Sequence, residues 1–155
     1  MTRSVVPGLA GLLVAGAFAA GCSSLTLTDV DQGWPVEAVT KVGRDNRIAD
    51  NRYALSARVT PLAIEEFQDS SALIGKDLRV LRNHQGYYFV TGQSFKNVYV
   101  FDGSGGTFSL SEKIEVSQAG LSNPALNQRT PYVELVDGSL KMLLDADGVV
   151  KGGAQ

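Results

Sequence analysis

Hydrophobic and polar residues follow different periods in different parts of this chain. From Val5 to Ala20 there is no period, only a nearly unbroken run of apolar residues. Further on the period is two. In TFSLS, 107–111, Phe108 and Leu110 share a face, and in KIEVS, 113–117, Ile114 and Val116 do, as in half-buried strands. Two segments break that rule. Tyr87-Tyr88-Phe89-Val90 and Val98-Tyr99-Val100-Phe101 are apolar on both alternating faces. A strand with one face in water alternates apolar with polar, so these two need a cover on both sides. Between the leader and these strands the period changes once to the helical one. After Thr60-Pro61, a capping residue followed by the residue suited to a first turn, Ile64, Phe67, Ser71 and Ile74 recur at helical spacing. Glu65 and Glu66 are expected near the positive end of the helix dipole. Gly75 ends the pattern. The spacing predicts one short helix near 61–74, with Ile64, Phe67 and Ile74 laid across the aromatic strands.

Turn residues divide the rest. Strand-like stretches lie at 36–42, 53–59, 78–82, 87–91, 97–102, 107–111, 113–117, 132–136 and 140–145. The segment RDNRIADNRY, 44–53, repeats Asp-Asn-Arg at a five-residue spacing, which returns to no helical face, and Asp and Asn favour turns. It is expected to be a polar loop. QAGLSNPALNQRTP, 118–131, is expected to be a second loop. Asp137-Gly138 between two apolar runs predicts a hairpin of type I′. The predicted fold is mainly β: an antiparallel sandwich or partly closed barrel of about eight short strands, with the one helix.

The apolar run at the start has a specific setting. Arg3 precedes it, small residues follow it, and it is shorter than the roughly 20 residues an apolar helix needs to span a bilayer. That is the layout of a secretory signal. Its end, Ala19-Ala20-Gly21-Cys22, resembles the lipobox of bacterial lipoproteins, with Ala19 where that family most often has leucine. The resemblance covers only the first 22 residues. It implies cleavage before Cys22, lipid on the cysteine sulfur, and export to the cell envelope. With Ser23 next, it implies the outer membrane, facing the periplasm, in a Gram-negative source. Cys22 is the only cysteine, so it has no disulfide partner within the chain. The expected organisation is a signal peptide at 1–21, a lipidated tether at 22–33, a single β-rich domain at 34–150 and a short tail at 151–155.

Composition narrows the function classes. Net charge is −2 with no basic run, which argues against nucleic acid as a partner. The membrane contact is expected through the lipid alone. Motifs that carry chemistry are incomplete. The single histidine, His84, sits in the turn NHQG with no nucleophile or ligand at a useful spacing. Gly103-Ser104-Gly105-Gly106 lacks the Lys and Ser or Thr of a phosphate loop. Asp145-Ala146-Asp147-Gly148 lacks the closing glutamate of a calcium loop. Glu65-Glu66 and Glu112/Glu115 are expected on solvated faces. The chain is therefore expected to be non-catalytic, with no cofactor and no metal, and to bind or support an envelope protein or polymer. The alternative is a carrier of an apolar ligand, or an enzyme with a scattered site. Candidate partner-binding residues are the polar cluster Arg44, Asp45, Arg47, Asp50 and Arg52, and the aromatics Tyr88, Tyr99 and Phe101.

Overall fold

A computed structural model describes residues 36–52, 54–104 and 107–151. The leader, Cys22, the proposed tether, Trp34, Tyr53 and the tail from 152 lie outside the described residues. In chain order the elements are β1 (Ala38–Lys41), β2 (Arg47–Asp50), β3 (Leu55–Arg58), α1 (Thr60–Phe67), β4 (Asp77–Arg82), β5 (Tyr87–Gly92), β6 (Asn97–Asp102), β7 (Ser109–Glu115), β8 (Ala125–Arg129), β9 (Tyr132–Asp137), β10 (Leu140–Asp145) and β11 (Gly148–Val149). All pairings are antiparallel. They build a five-stranded sheet in the order β1-β4-β5-β6-β7, a four-stranded sheet β11-β10-β9-β8, and the hairpin β2-β3. The fold is mainly β and sandwich-like, and none of the sheets closes into a barrel.

The five-stranded sheet is covered on both faces, which accounts for the two doubly apolar segments. Phe89, Val98 and Val100 point to one side and pack with Leu126, Val133, Leu135 and Leu144 of the four-stranded sheet. Tyr88, Val90 and Tyr99 point to the other and pack with Ile48, Leu55 and Ala57 of the hairpin and with Leu62 and Ala63 of α1. The strand order makes the central strands a middle layer. The segments 87–90 of β5 and 98–101 of β6 are apolar at every position for that reason.

Several expected boundaries shift. The segment RDNRIADNRY is not one loop: its middle, Arg47-Ile48-Ala49-Asp50, is strand β2. The two Asp-Asn-Arg units are matching turns at its two ends. The Asp45 carboxylate accepts the Arg47 N–H at 3.3 Å, and Asp50 accepts the Arg52 N–H at 2.8 Å. The expected loop 118–131 contains β8, held on one side by β9. On its other side the Leu126 N–H donates to Glu37 at 2.7 Å, and Glu37 is paired with Arg79 at 3.1 Å. A carboxylate thus caps a donor on a sheet edge that would otherwise be open.

The two alternating stretches TFSLS and KIEVS belong largely to one strand, β7, with a bulge. Glu112 pairs with Val100 and Leu110 with Phe101, so Ser111 is the extra residue. Phe108, Leu110, Ile114 and Val116 all have even numbers and would share one face of a regular strand. The bulge moves the first two to the helix side and leaves Ile114 and Val116 against the four-stranded sheet.

The helix is shorter than its apolar spacing predicts. It ends at Phe67, with Gln68 in the left-handed region at φ 57°. Asp69 then accepts both the N–H and the hydroxyl of Ser71, forming a turn that competes with further helix. Val59, not Thr60, is the N-cap, and no side chain caps the helix there. Its inward stripe is Leu62, Ala63, Glu66 and Phe67, whereas Ile64 and Ile74 are exposed. In the β9-β10 hairpin Asp137 pairs with Leu140, so the turn residues are Gly138 and Ser139. Only the first has positive φ, 60°, which corrects the expected type I′ turn to the II′ kind with glycine leading.

Candidate functional site

The short helix is fastened to the sheet by one carboxylate. Glu66 accepts four hydrogen bonds: from the backbone N–H of Lys96 at 2.8 Å and of Asn97 at 3.1 Å, from Asn97 Nδ2 at 2.8 Å and from the Tyr99 hydroxyl at 3.0 Å. Burial pushes the Tyr99 hydroxyl well above its ordinary range, and the adjacent negative charge of Glu66 raises it further. Tyr99 therefore serves as a donor and not as an acid. Glu65, one position along, pairs with Lys113 of β7 at 2.7 Å and holds that ammonium above its usual value. Both glutamates sit in the second half of α1, near its negative end, not at the start as the spacing suggested. Their positions are supported by donors from β6 and β7 instead. Glu66 is a half-buried anchor rather than part of a solvated face.

The helix and the hairpin cover that side of the sheet incompletely. Between β3, the start of α1 and the β6-β7 end of the sheet lies a cleft of about 470 Å³. Its apolar lining includes Leu62, Val90, Phe101 and Phe108. Phe101 and Phe108 stack on each other at 4.3 Å between centroids and an interplanar angle of 12°. Tyr88 supports Phe108 edge-on at 5.3 Å, and the Arg82 guanidinium lies over the Tyr88 ring at 5.7 Å from its centroid. Leu110 stands at the cleft with 55% of its surface exposed, so an apolar wall faces solvent. Arg47 and Arg58 complete the lining, and no acidic side chain is part of it.

The sequence-predicted site residues do not form one cluster. Arg47 and Phe101 meet at the cleft. Arg44 and Asp45 lie in the exposed turn before β2, where Asp45 is engaged with the backbone of Arg47. Asp50 and Arg52 lie at the far end of β2 in an ion pair of 2.9 Å with each other. Tyr88 is buried beneath the cleft's aromatic wall, and Tyr99 is buried under α1, so neither presents an exposed aromatic face. Arg58, Phe108 and Leu110 join the cleft without standing among the site residues that the sequence predicts. Arg58 follows an alternating stretch, Leu55-Ser56-Ala57-Arg58, whose polar positions face outward, and hairpin pairing places it opposite Arg47. Cys22 lies outside the described residues.

No family model, curated protein or solved structure matches the chain. The geometry of its own residues is what bears on function. Among the described residues no group of three or more His, Cys, Asp and Glu is placed to hold a metal ion. His84 is exposed in the β4-β5 turn, where Asn83 accepts the N–H groups of Gln85 and Tyr87 at 3.0 Å. A second hollow, of about 490 Å³, lies near Lys76, Asp77 and Arg79 and has a more polar lining. The cleft beneath the hairpin combines apolar depth, an exposed apolar wall and charge of one sign. It is the candidate binding site.

Proposed function

We propose that this chain is an exported lipoprotein, anchored through lipid on Cys22, whose β domain binds another component of the cell envelope. The binding surface is the cleft between β3 and the β6-β7 end of the sheet. No chemistry of its own is assigned to it. The observation that carries the reading is the cleft with its exposed wall at Leu110, since an apolar hollow left uncovered on a small domain is a common binding feature. The leader supports the location: Ala-Ala-Gly-Cys ends an apolar run preceded by Arg3. Two or three long acyl chains on Cys22 would hold the domain at a membrane surface at roughly 0.8 kcal/mol per buried CH₂.

Two measurements test the two halves. Mass spectrometry of the mature protein is expected to find Cys22 first and carrying acyl mass; an unmodified Cys22 in a soluble mature form refutes the anchor. Leu110→Glu places a charge in the cleft wall at an exposed position. It should leave the unfolding midpoint within error and abolish complementation of a strain lacking the protein. Full complementation by a folded Leu110→Glu protein refutes the cleft as the binding surface.

A further inference from the structure

We infer that the cleft takes an anionic amphiphile: a single long acyl chain along the apolar lining, with its carboxylate or phosphate head between Arg47 and Arg58. This rests on the reading that the cleft is a binding site. It adds the chemical class of the occupant.

Charge and shape together select this occupant. Arg47 of β2 and Arg58 of β3 are directly opposite each other in the hairpin. Side chains so placed project to the same side, here the exposed face of the hairpin and not the face on which Ile48 and Ala57 pack inward, so the two arginines border the cleft at its solvent side. Their Cβ atoms are roughly 5 Å apart, and like charges there repel. The pair is not neutralised. The Arg47 guanidinium donates only a long 3.4 Å hydrogen bond, to the Ser56 hydroxyl, and no acidic side chain among the described residues forms an ion pair with Arg47 or Arg58. The nearest carboxylate in sequence, Asp45, is turned to the Arg47 backbone. In a chain with more acidic than basic residues, two adjacent guanidinium groups without acids are an uncompensated local field. An oxyanion between them would remove the repulsion and accept charge-assisted bonds from planar forks suited to carboxylate and phosphate.

The other end of the cleft selects against a purely polar anion. Leu62, Val90, Phe101 and Phe108 offer an apolar lining with no ion pair in it, and Leu110 extends that surface outward. A free phosphate would satisfy the arginines and leave this wall wet. A neutral hydrocarbon would fill the wall and leave the arginines repelling. A chain with an anionic head satisfies both. The volume of about 470 Å³ is within the range of small-molecule pockets.

The test uses the mature lipidated chain in nanodiscs of zwitterionic phosphatidylcholine, with three photoreactive probes of equal chain length. These are diazirine-bearing palmitic acid, the matching lysophosphatidic acid and the matching fatty alcohol. Labelled peptides are mapped by mass spectrometry. The inference expects both anionic probes, or one of them, to label the peptides containing Phe108 and Leu110, with the alcohol weaker by about tenfold or more. The difference between palmitic acid and lysophosphatidic acid names the head. Arg47→Gln/Arg58→Gln should reduce anionic labelling to the level of the alcohol, and Arg47→Lys/Arg58→Lys should restore part of it. Both arginines are exposed, and an unchanged unfolding midpoint shows that the variants are folded. Equal labelling by acid and alcohol, indifferent to the arginines, overturns the inference. So does absence of cleft labelling while Leu110→Glu still abolishes complementation; that result keeps the binding cleft and assigns it to an occupant of another kind, such as a protein segment.

Discussion

The two faces of the five-stranded sheet solve the same burial problem by different means. On one side a second sheet lies across it. The residues buried between them are aliphatic apart from Phe89, and many have no exposed surface at all. On the other side the cover is assembled from a four-residue-per-strand hairpin and an eight-residue helix. Neither is wide enough to close over the sheet. The helix is too short to hold itself in water, because nucleation is costly and isolated helices below about 12–15 residues are marginal. It is held by Leu62 and Ala63 inside and by polar bonds from Glu66 and Glu65 to β6 and β7. A sheet-on-sheet face buries by area. A patched face buries by anchors, and the gap between patches is where a ligand can enter.

The largest expected effect tests the dry side. Phe89 has no exposed surface and packs between the sheets, so Phe89→Ala should cost about 3–5 kcal/mol by denaturant unfolding. Phe67, on the patched side, is only half-buried and meets Phe95 edge-on at 5.6 Å. Phe67→Ala should cost about 1–2 kcal/mol, less than Phe89→Ala because less of its surface is lost from water. Equal losses at the two sites would mean that the helix side is as tightly packed as the sheet side, and the contrast would fail.

The difference between the faces also marks how far the sequence could be read. Double apolarity in YYFV and VYVF was legible, and it implied a middle layer correctly. The helix was legible in place but not in length, because Ile74 continued the apolar spacing beyond Phe67, where the helix ends. Its end is set by the Asp69–Ser71 turn, a local polar competition that a hydrophobic pattern does not register. Strand β8, Ala-Leu-Asn-Gln-Arg, has no β-branched or aromatic residue. It is a strand because β9 and the Glu37 carboxylate supply partners for its backbone, one adjacent in sequence and one far away. The Asp-Asn-Arg repeat was visible as turn chemistry, but a strand between two turns read as one loop. Half of the cleft was equally hidden. Arg47 and Phe101 stood out as a polar cluster and an aromatic strand, whereas Arg58 and Leu110 join them only through hairpin register and the Ser111 bulge.

A smaller effect sharpens the anchor argument. Glu66→Ala removes the acceptor of four donors, of which the Tyr99 hydroxyl is the most enclosed. Leaving a buried donor unpaired costs about 1–3 kcal/mol, and that is the loss expected here, since Lys96 at the surface can turn its N–H to water. Adding Tyr99→Phe should then restore part of the stability, because the stranded hydroxyl is gone. A neutral Glu66→Ala would show that Leu62 and Ala63 hold the helix alone.

The smallest effect concerns pH and again separates the faces. Beyond the end of α1, the Asp69 carboxylate accepts the Ser71 N–H and hydroxyl, each at 2.8 Å. Those donors, the backbone one first, hold its carboxyl below the ordinary value. The folded pKa is lower than the unfolded one, so the carboxylate's contribution is fully present above the ordinary value near ~3.9. It is lost as pH falls through the lowered folded value. Asp69→Asn keeps a side-chain oxygen for the turn and removes the charge. The stability difference between the two proteins should therefore be constant from roughly pH 5 to 8 and close as the pH is taken below about 4. The group is fully exposed, so the difference will be small and best read as a shift in unfolding midpoint measured side by side. A difference that persists unchanged to the acid limit would mean that Asn cannot form the turn. The end of the helix would then depend on the geometry of Asp69 and not on its charge.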